Sequence, residues 1–271
     1  MLESKIWDVC TRHEVAAGAP NRTLQSAFLI MSTKGFRRLP ITKIGKIYGI
    51  LTVTDLLRAI KELGLPEAYK AKITDYMVPN PVVIHEEKTI ADAIKLMAEK
   101  SFGSLIVVGS KEDRITGIVT ERDIVRIAGK FVGEDSVIGD ARDLVKSEYH
   151  TLDITTPIDK AISSLIEKGD HRAVSLREGQ PYGVLTASDI INLVAKERDE
   201  IIANPNFLHS ANIGFLTKSP LHSAKTSSLM SFAIKDMVEN KYGGLPVFDE
   251  NDKLLGMFSE RTIVRYLATK I

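Results

Sequence analysis

The chain has 271 residues, 44% of them hydrophobic and 26% charged, and a formal net charge of +1. These are the proportions of an ordinary globular protein, and near-neutrality supplies no global field toward nucleic acid or a membrane surface. One cysteine, Cys10, excludes an intrachain disulfide framework and a multi-cysteine zinc site, and is expected as a buried thiol.

No stretch approaches the roughly 20 apolar residues of a membrane span, and Met1 to Cys10 lacks a signal-peptide pattern. A cytoplasmic protein without a membrane partner is therefore expected. Thr23 to Met31 reads as a helix, with Leu24, Ala27, Phe28 and Met31 on one face. Two short strands follow, Arg38 to Ile41 and Ile47 to Leu51, and then a helix from Thr54 that ends near Gly64-Leu65-Pro66. The order recurs with a leading strand at Pro81 to Ile84, a helix at Thr89 to Lys100, and strands at Leu105 to Val108 and Ile115 to Val119 around a polar turn, Ser110 to Arg114. Further helices are expected at Ile158 to Ile166 and Leu229 to Val238, with strands at Leu245 to Phe248 and Leu254 to Phe258.

A signature sits where the last strand of each unit meets its last helix. It reads Gly49-Ile50-Leu51-Thr52-Val53-Thr54-Asp55, then Gly117-Ile118-Val119-Thr120-Glu121-Arg122-Asp123, then Gly183-Val184-Leu185-Thr186-Ala187-Ser188-Asp189. A fourth copy, Gly256-Met257-Phe258-Ser259-Glu260-Arg261-Thr262, lacks only the acid. The glycines are 68, 66 and 73 residues apart, so one unit of strand, helix, strand, strand, helix is repeated four times. The repeats are expected at 1–66, 67–132, 133–200 and 201–271. One unit of this size buries too little apolar surface to stand comfortably alone, so repeats should pair. Repeats two and four share Glu-Arg and Ile-Val-Arg (Glu121-Arg122 and Ile124-Val125-Arg126; Glu260-Arg261 and Ile263-Val264-Arg265). That alternation suggests a duplicated two-repeat ancestor, with repeats one and two as one module, three and four as the other, and a boundary near Gly129 to Val137.

The repeating unit and its glycine–apolar–apolar–threonine–x–x–aspartate signature resemble the cystathionine β-synthase (CBS) domain. Two pairs in one polypeptide resemble the tandem Bateman modules of the γ subunit of AMP-activated protein kinase and its stand-alone microbial relatives. The resemblance implies an α/β fold of four CBS repeats in two Bateman modules, with clefts that bind adenine nucleotides.

Thr-x-x-Asp equally fits a helix cap, which needs no ligand. What stands opposite is more informative. In a hairpin, paired positions have a constant sum, so Arg38 faces Thr52 around Gly45, and Arg172 faces Thr186 around Gly179. Guanidinium, hydroxyl and helix N-terminus at one edge suit a phosphate. Repeat one supplies Arg38, Thr52 and Asp55, and repeat three supplies Arg172, Thr186 and Asp189. Repeat two keeps Thr120 and Asp123 with Ser104 near the arginine position, and repeat four has Gly244 there. The resemblance assigns the ribose to Asp55, Asp189 and Asp123, and a phosphate-facing role to His171 beside Arg172, with Arg37 as a further phosphate candidate. It places the base near Met77, Val78 and Pro79 with Phe102 and Gly103, and near Asn212, Ile213 and Gly214 with Tyr242 and Gly243.

The Glu-Arg pairs of repeats two and four read as first-turn helix charges. His85-Glu86-Glu87 and His209 to His222 lack metal-ligand spacing, and no nucleotide-triphosphatase loop or hydrolase elbow is present. The expectation is a non-enzymatic sensor of AMP, ADP or ATP with no catalytic residues, no metal and no required cofactor. Its protein partner is unnamed and a homodimer is left open. The alternatives are an S-adenosylmethionine-binding regulator, which needs no phosphate site, and a nucleic-acid-binding accessory protein using the Arg37/Arg38 face. The latter is disfavoured because that basic patch lacks interleaved aromatics.

Overall fold

A computed structural model describes residues 2–12, 17–109, 114–130, 145, 149–228 and 230–271. The expected turn at 110–113, the helix start at 229 and the proposed module boundary beyond residue 130 lie outside these. Repeat one contains helix α1 (Leu24–Lys34), strands β1 (Arg38–Lys43) and β2 (Lys46–Thr52) and helix α2 (Val53–Leu63). The chain then forms α3 (Leu65–Lys70), α4 (Ile73–Tyr76) and β3 (Val78–Pro79). Repeat two comprises β4 (Val83–His85), α5 (Ile90–Lys100), β5 (Ser104–Val108), β6 (Ile115–Thr120) and α6 (Glu121–Lys130). Repeat three comprises β7 (Thr151–Asp153), α7 (Ile158–Lys168), β8 (Arg172–Arg177), β9 (Gln180–Thr186) and α8 (Ala187–Lys196), followed by α9 (Arg198–Ala203) and α10 (Phe207–Ser210). Repeat four comprises β10 (Ala224–Lys225), α11 (Met230–Glu239), β11 (Gly244–Phe248), β12 (Leu254–Ser259) and α12 (Glu260–Ala268).

Repeats two, three and four thus follow the expected order. Each has a three-stranded sheet in which the leading strand runs parallel to the middle one and the last two form an antiparallel hairpin. Repeat one differs: Gly18 makes only an isolated parallel bridge to Ile41, and β3 joins β2 from the other side. The connecting helices were not expected from the pattern. Pro66 reads as a stop after α2, yet it sits in the first turn of α3, where a missing backbone N–H costs nothing. No helix among the described residues is long and apolar enough to cross a membrane.

The compact units cut across the expected grouping of repeat one with two and three with four. One compact unit comprises Ala16–Pro81 and His150–Leu221, and so joins repeats one and three. The other comprises Met1–Val15, Val82–Tyr149 and His222–Ile271, and joins repeats two and four. These are called here the odd and the even unit. The reason lies in the helix faces. Leu24, Ala27, Phe28 and Met31 of α1 and Leu56, Leu57 and Ile60 of α2 share one buried cluster with Ile158, Ile162 and Leu165 of α7 and Ile190, Ile191 and Val194 of α8. Each Leu, Ile, Val, Met or Phe among them contributes about 1.5–3 kcal/mol on burial, far above an exposed ion pair. Tyr69 of α3 closes the cluster by donating its hydroxyl to Val194 O at 2.7 Å, and desolvation pushes its pKa up to about 12. The even unit repeats the scheme with Ile90, Ile94 and Met97 of α5 against Ile263, Val264 and Leu267 of α12. Cys10 is buried there, as expected of a lone thiol.

Within each unit, lead-in segments pair with a repeat other than the one they precede. Val78, which precedes repeat two, pairs with Ile50 of repeat one. Thr11, from the N-terminal segment, pairs with Ile118 of repeat two, and Lys218, which precedes repeat four, pairs with Val184 of repeat three. This crossing explains the signature glycine. A Cβ on Gly49 would lie 2.5 Å from Met77 Sδ and 3.0 Å from Val78 O, and one on Gly117 would lie 2.8 Å from Cys10 Sγ and 3.0 Å from Thr11 O. Gly183 meets the Lys218 carbonyl and Thr217 in the same way. A Gly49→Ala change should therefore cost about 1–2 kcal/mol, because the thioether can move but the carbonyl cannot. A denaturant melt that leaves the variant as stable as the parent would refute this role.

Candidate ligand site

The hairpin register agrees with the arithmetic. Arg38 pairs with Thr52 and Arg172 with Thr186, around Gly45 and Gly179 at φ of 74° and 75°. In the other repeats Ser104 faces Thr120 and Gly244 faces Ser259. One backbone bond then turns each strand into its last helix. Val53 N donates to Arg37 O, Ala187 N to His171 O, Glu121 N to Gly103 O and Glu260 N to Gly243 O. Arg37, Gly103, His171 and Gly243 are therefore equivalent positions.

The capping reading of Thr-x-x-Asp is correct as far as it goes. Asp55 Oδ2 accepts from Thr52 N at 2.8 Å and from its hydroxyl at 2.7 Å, and Thr52 Oγ1 accepts from Asp55 N. Thr120 with Asp123 and Thr186 with Asp189 form the same box. In repeat four Thr262 Oγ1 substitutes, accepting from Ser259 N at 2.9 Å. Thr89 and Asp92 also form such a box at the start of α5, which follows the single strand β4 and not a hairpin, so a box alone marks no site.

Burial separates the three signature acids from that ordinary cap. Asp55, Asp123 and Asp189 are 4%, 6% and 7% exposed, whereas Asp92 is only half-buried. Burial raises the pKa of Asp123 despite the opposing bonds from Thr120 and the Arg126 charge, whereas backbone hydrogen bonding lowers that of Asp92. A carboxylate that only caps gains nothing from leaving water. In each signature acid one oxygen serves the box and the other meets a cation. Arg58 lies 3.2 Å from Asp55 Oδ1, Arg126 3.0 Å from Asp123 Oδ1, and Lys218 2.9 Å from Asp189 Oδ1. Arg58 and Arg126 were legible as i+3 partners on the same helix face. Lys218 was not, since only the lead-in crossing brings it there.

The two units differ at the same place. The odd unit gathers Arg37, Arg38, His171 and Arg172, all half-buried, and His171 Nδ1 lies 3.2 Å from Thr54 Oγ1 in the first turn of α2. The even unit has Gly103, Ser104, Gly243 and Gly244 there, and supplies its own carboxylates. Arg122 Nε donates to Glu260 at 2.8 Å and Arg261 Nε to Glu121 at 3.2 Å. The two glutamates are buried, so the pairs are a crossed lock between repeats rather than solvated first-turn charges. The shared Glu-Arg pattern of repeats two and four thus marks a contact. Glu260→Gln should destabilise by about 1–2 kcal/mol, because its carboxylate is buried while Arg122 is half-exposed. Glu167→Gln, at the exposed Lys61–Glu167 pair, should cost under about 0.5 kcal/mol in the same thermal melts. Equal effects would contradict the lock.

The residues expected near a base divide between the units. Val78 and Pro79 lie on β3 beside the repeat-one hairpin, exposed, with Met77 half-buried just before them. Asn212 caps the turn at Ile213–Phe215 by accepting from Gly214 N, and Gly214 faces Ile154 O. Phe102, Gly103, Tyr242 and Gly243 belong to the even unit, where Tyr242 packs on His222 at 4.8 Å. Among the described residues no three His, Cys, Asp or Glu side chains gather as a metal site.

Residues 7–62, 73–130, 141–196 and 213–269 match the CBS domain, and the chain belongs to the CBS-domain family. Its relatives include the uncharacterized protein MJ1225 of Methanocaldococcus jannaschii, 24% identical over 97% of this chain and 99% of that one. The crystal structure of MJ1225, a proposed archaeal homologue of γ-AMPK, superposes with a TM-score of 0.87 over 98% of this chain and all of that one at 22% identity. An uncharacterized conserved protein from Pyrococcus horikoshii aligns over 97% of this chain and all of its own with a TM-score of 0.65 at 18% identity. At these identities the structural likeness establishes the four-repeat fold.

Proposed function

We propose that this chain is a non-enzymatic regulatory sensor of adenine nucleotides, AMP, ADP or ATP, with its principal sites in repeats one and three. The observation that carries the reading is a buried aspartate whose second oxygen turns away from its cap, beside a helix N-terminus that faces an in-register arginine. It occurs twice in the odd unit, at Arg38, Thr52 and Asp55 and at Arg172, Thr186 and Asp189. Arginine and helix N-terminus suit a phosphate, and the carboxylate oxygen outside the capping box, once it exchanges its cation, suits a ribose diol. His171 and Arg37 add donors on the phosphate side. Met77, Val78 and Pro79 for repeat one, and Asn212, Ile213 and Gly214 for repeat three, border the base. Asp123 lacks an opposing arginine and is a weaker third site, and Thr262 offers no carboxylate.

Such a sensor acts by holding different nucleotide affinities in two packings of the repeats, which a protein partner reads; tight binding alone would move nothing. Calorimetric titration with AMP, ADP, ATP and S-adenosylmethionine tests the proposal. Competitive binding of the three nucleotides in preference to S-adenosylmethionine is expected. Binding of S-adenosylmethionine alone would overturn it, because that ligand carries no phosphate.

A further inference from the structure

The two arginine-bearing repeats differ at one position of the lead-in segment. The strand residue after the signature glycine pairs with Val78 in repeat one, Thr11 in repeat two and Lys218 in repeat three. A charge stands at this position only in repeat three of these three. Lys218 is pinned by its backbone: its N–H donates to Val184 O at 3.0 Å, and its carbonyl accepts from Val184 N at 3.1 Å. Its neighbours are held as well, Thr217 by donating to Ser175 Oγ and Ser219 by donating to the Tyr182 hydroxyl. From that anchored backbone the ammonium reaches Asp189 Oδ1 at 2.9 Å, the one oxygen of this acid outside the capping box. Asp55 and Asp123 take their cations from their own helices, whereas α8 has Asn192 at the corresponding position.

We propose that Lys218 is an internal competitor for the repeat-three site, a specificity-determining residue that holds the outward oxygen of Asp189 until a diol displaces it. This rests on the ribose role of Asp189 proposed above. The Lys218 side chain is 71% exposed, so the pair is weak and water readily replaces Asp189 around the released lysine. The competitor therefore lowers diol affinity by a small factor. The same displacement frees a side chain of the segment that leads into His222, the first residue of this stretch of the even unit. Repeat one has no such wiring, since Val78 carries no charge.

Adenosine is the suitable probe, because it has the diol without a phosphate. Lys218→Met keeps the aliphatic stem and every backbone bond of the segment. In calorimetry, the adenosine-binding component that Asp189→Asn abolishes should tighten about two- to fivefold in Lys218→Met. In the parent, moderate salt should tighten the same component by screening the pair, and in the variant salt should have no effect. Unchanged affinity and salt response in Lys218→Met would overturn the competitor while leaving the ribose site standing. Weaker binding in the variant would make Lys218 a ligand contact instead, which also overturns it. If neither adenosine nor AMP binds the parent, the nucleotide reading itself fails, and the competitor with it.

Discussion

Replacing Arg172 by alanine is expected to weaken AMP, ADP and ATP roughly ten- to 150-fold while leaving adenosine within about threefold. Arg172 opens β8 opposite Thr186, which caps α8, so its guanidinium shares an edge with a helix N-terminus. A charge-assisted hydrogen bond is worth about 1.5–3 kcal/mol, and that range sets the expected factor. Adenosine lacks the phosphate and should be nearly indifferent. The side chain is half-buried on a hairpin edge, so its loss should leave the helix faces that hold repeats one and three together intact. Titrating variant and parent with AMP and adenosine checks this directly. Equal losses for the two ligands would mean that the arginine never meets the phosphate.

Asp189→Asn should reduce AMP binding tenfold or more while costing the fold comparatively little. The amide oxygen can take the place of Oδ2 and continue to accept from Thr186 N and its hydroxyl. The amide nitrogen then replaces Oδ1, which turns the outward acceptor into a donor and sets it against the Lys218 ammonium. If Asp189 only caps, the loss is the helix-dipole contribution of one carboxylate, about 0.3–1 kcal/mol of stability, with no change in binding. If it holds a ribose, the diol loses its acceptor, and the tenfold factor is the 1.4 kcal/mol that a weakened charged bond represents. Comparison of AMP with 2′-deoxy-AMP sharpens the test. The parent should discriminate against the deoxy form and the variant should not. A variant that binds AMP normally but melts earlier would reduce Asp189 to a cap.

Much of the fold was legible because it repeats. Four copies of one signature located every final strand and helix, and the i, i+3, i+4 stripe of α1 named residues that the structure buries. The hairpin register was legible too, since Gly45 and Gly179 mark the turns and the pairing follows by symmetry. What joined to what was not. An apolar helix face declares that it is buried but not against which partner, and all four repeats present similar faces. The alternation of Glu-Arg between repeats two and four was read as ancestry when it also records a crossed ion-pair contact. The signature glycine was seen as a landmark, whereas its physical cause is a crossing segment that only the topology reveals. Lys218 was invisible for the same reason, lying 29 residues beyond Asp189 in sequence and 2.9 Å from it in space.

In the proposed function the odd unit carries the ligand, at two equivalent places. A crystal structure of the protein grown with AMP tests it most directly. Nucleotide should lie against Arg38, Thr52 and Asp55 and against Arg172, Thr186 and Asp189, each ribose on the outward carboxylate oxygen and each phosphate toward the arginine. Any density at Asp123 should be weaker. Nucleotide found only against Ser259 and Thr262, where no carboxylate and no opposing arginine stand, would contradict the account.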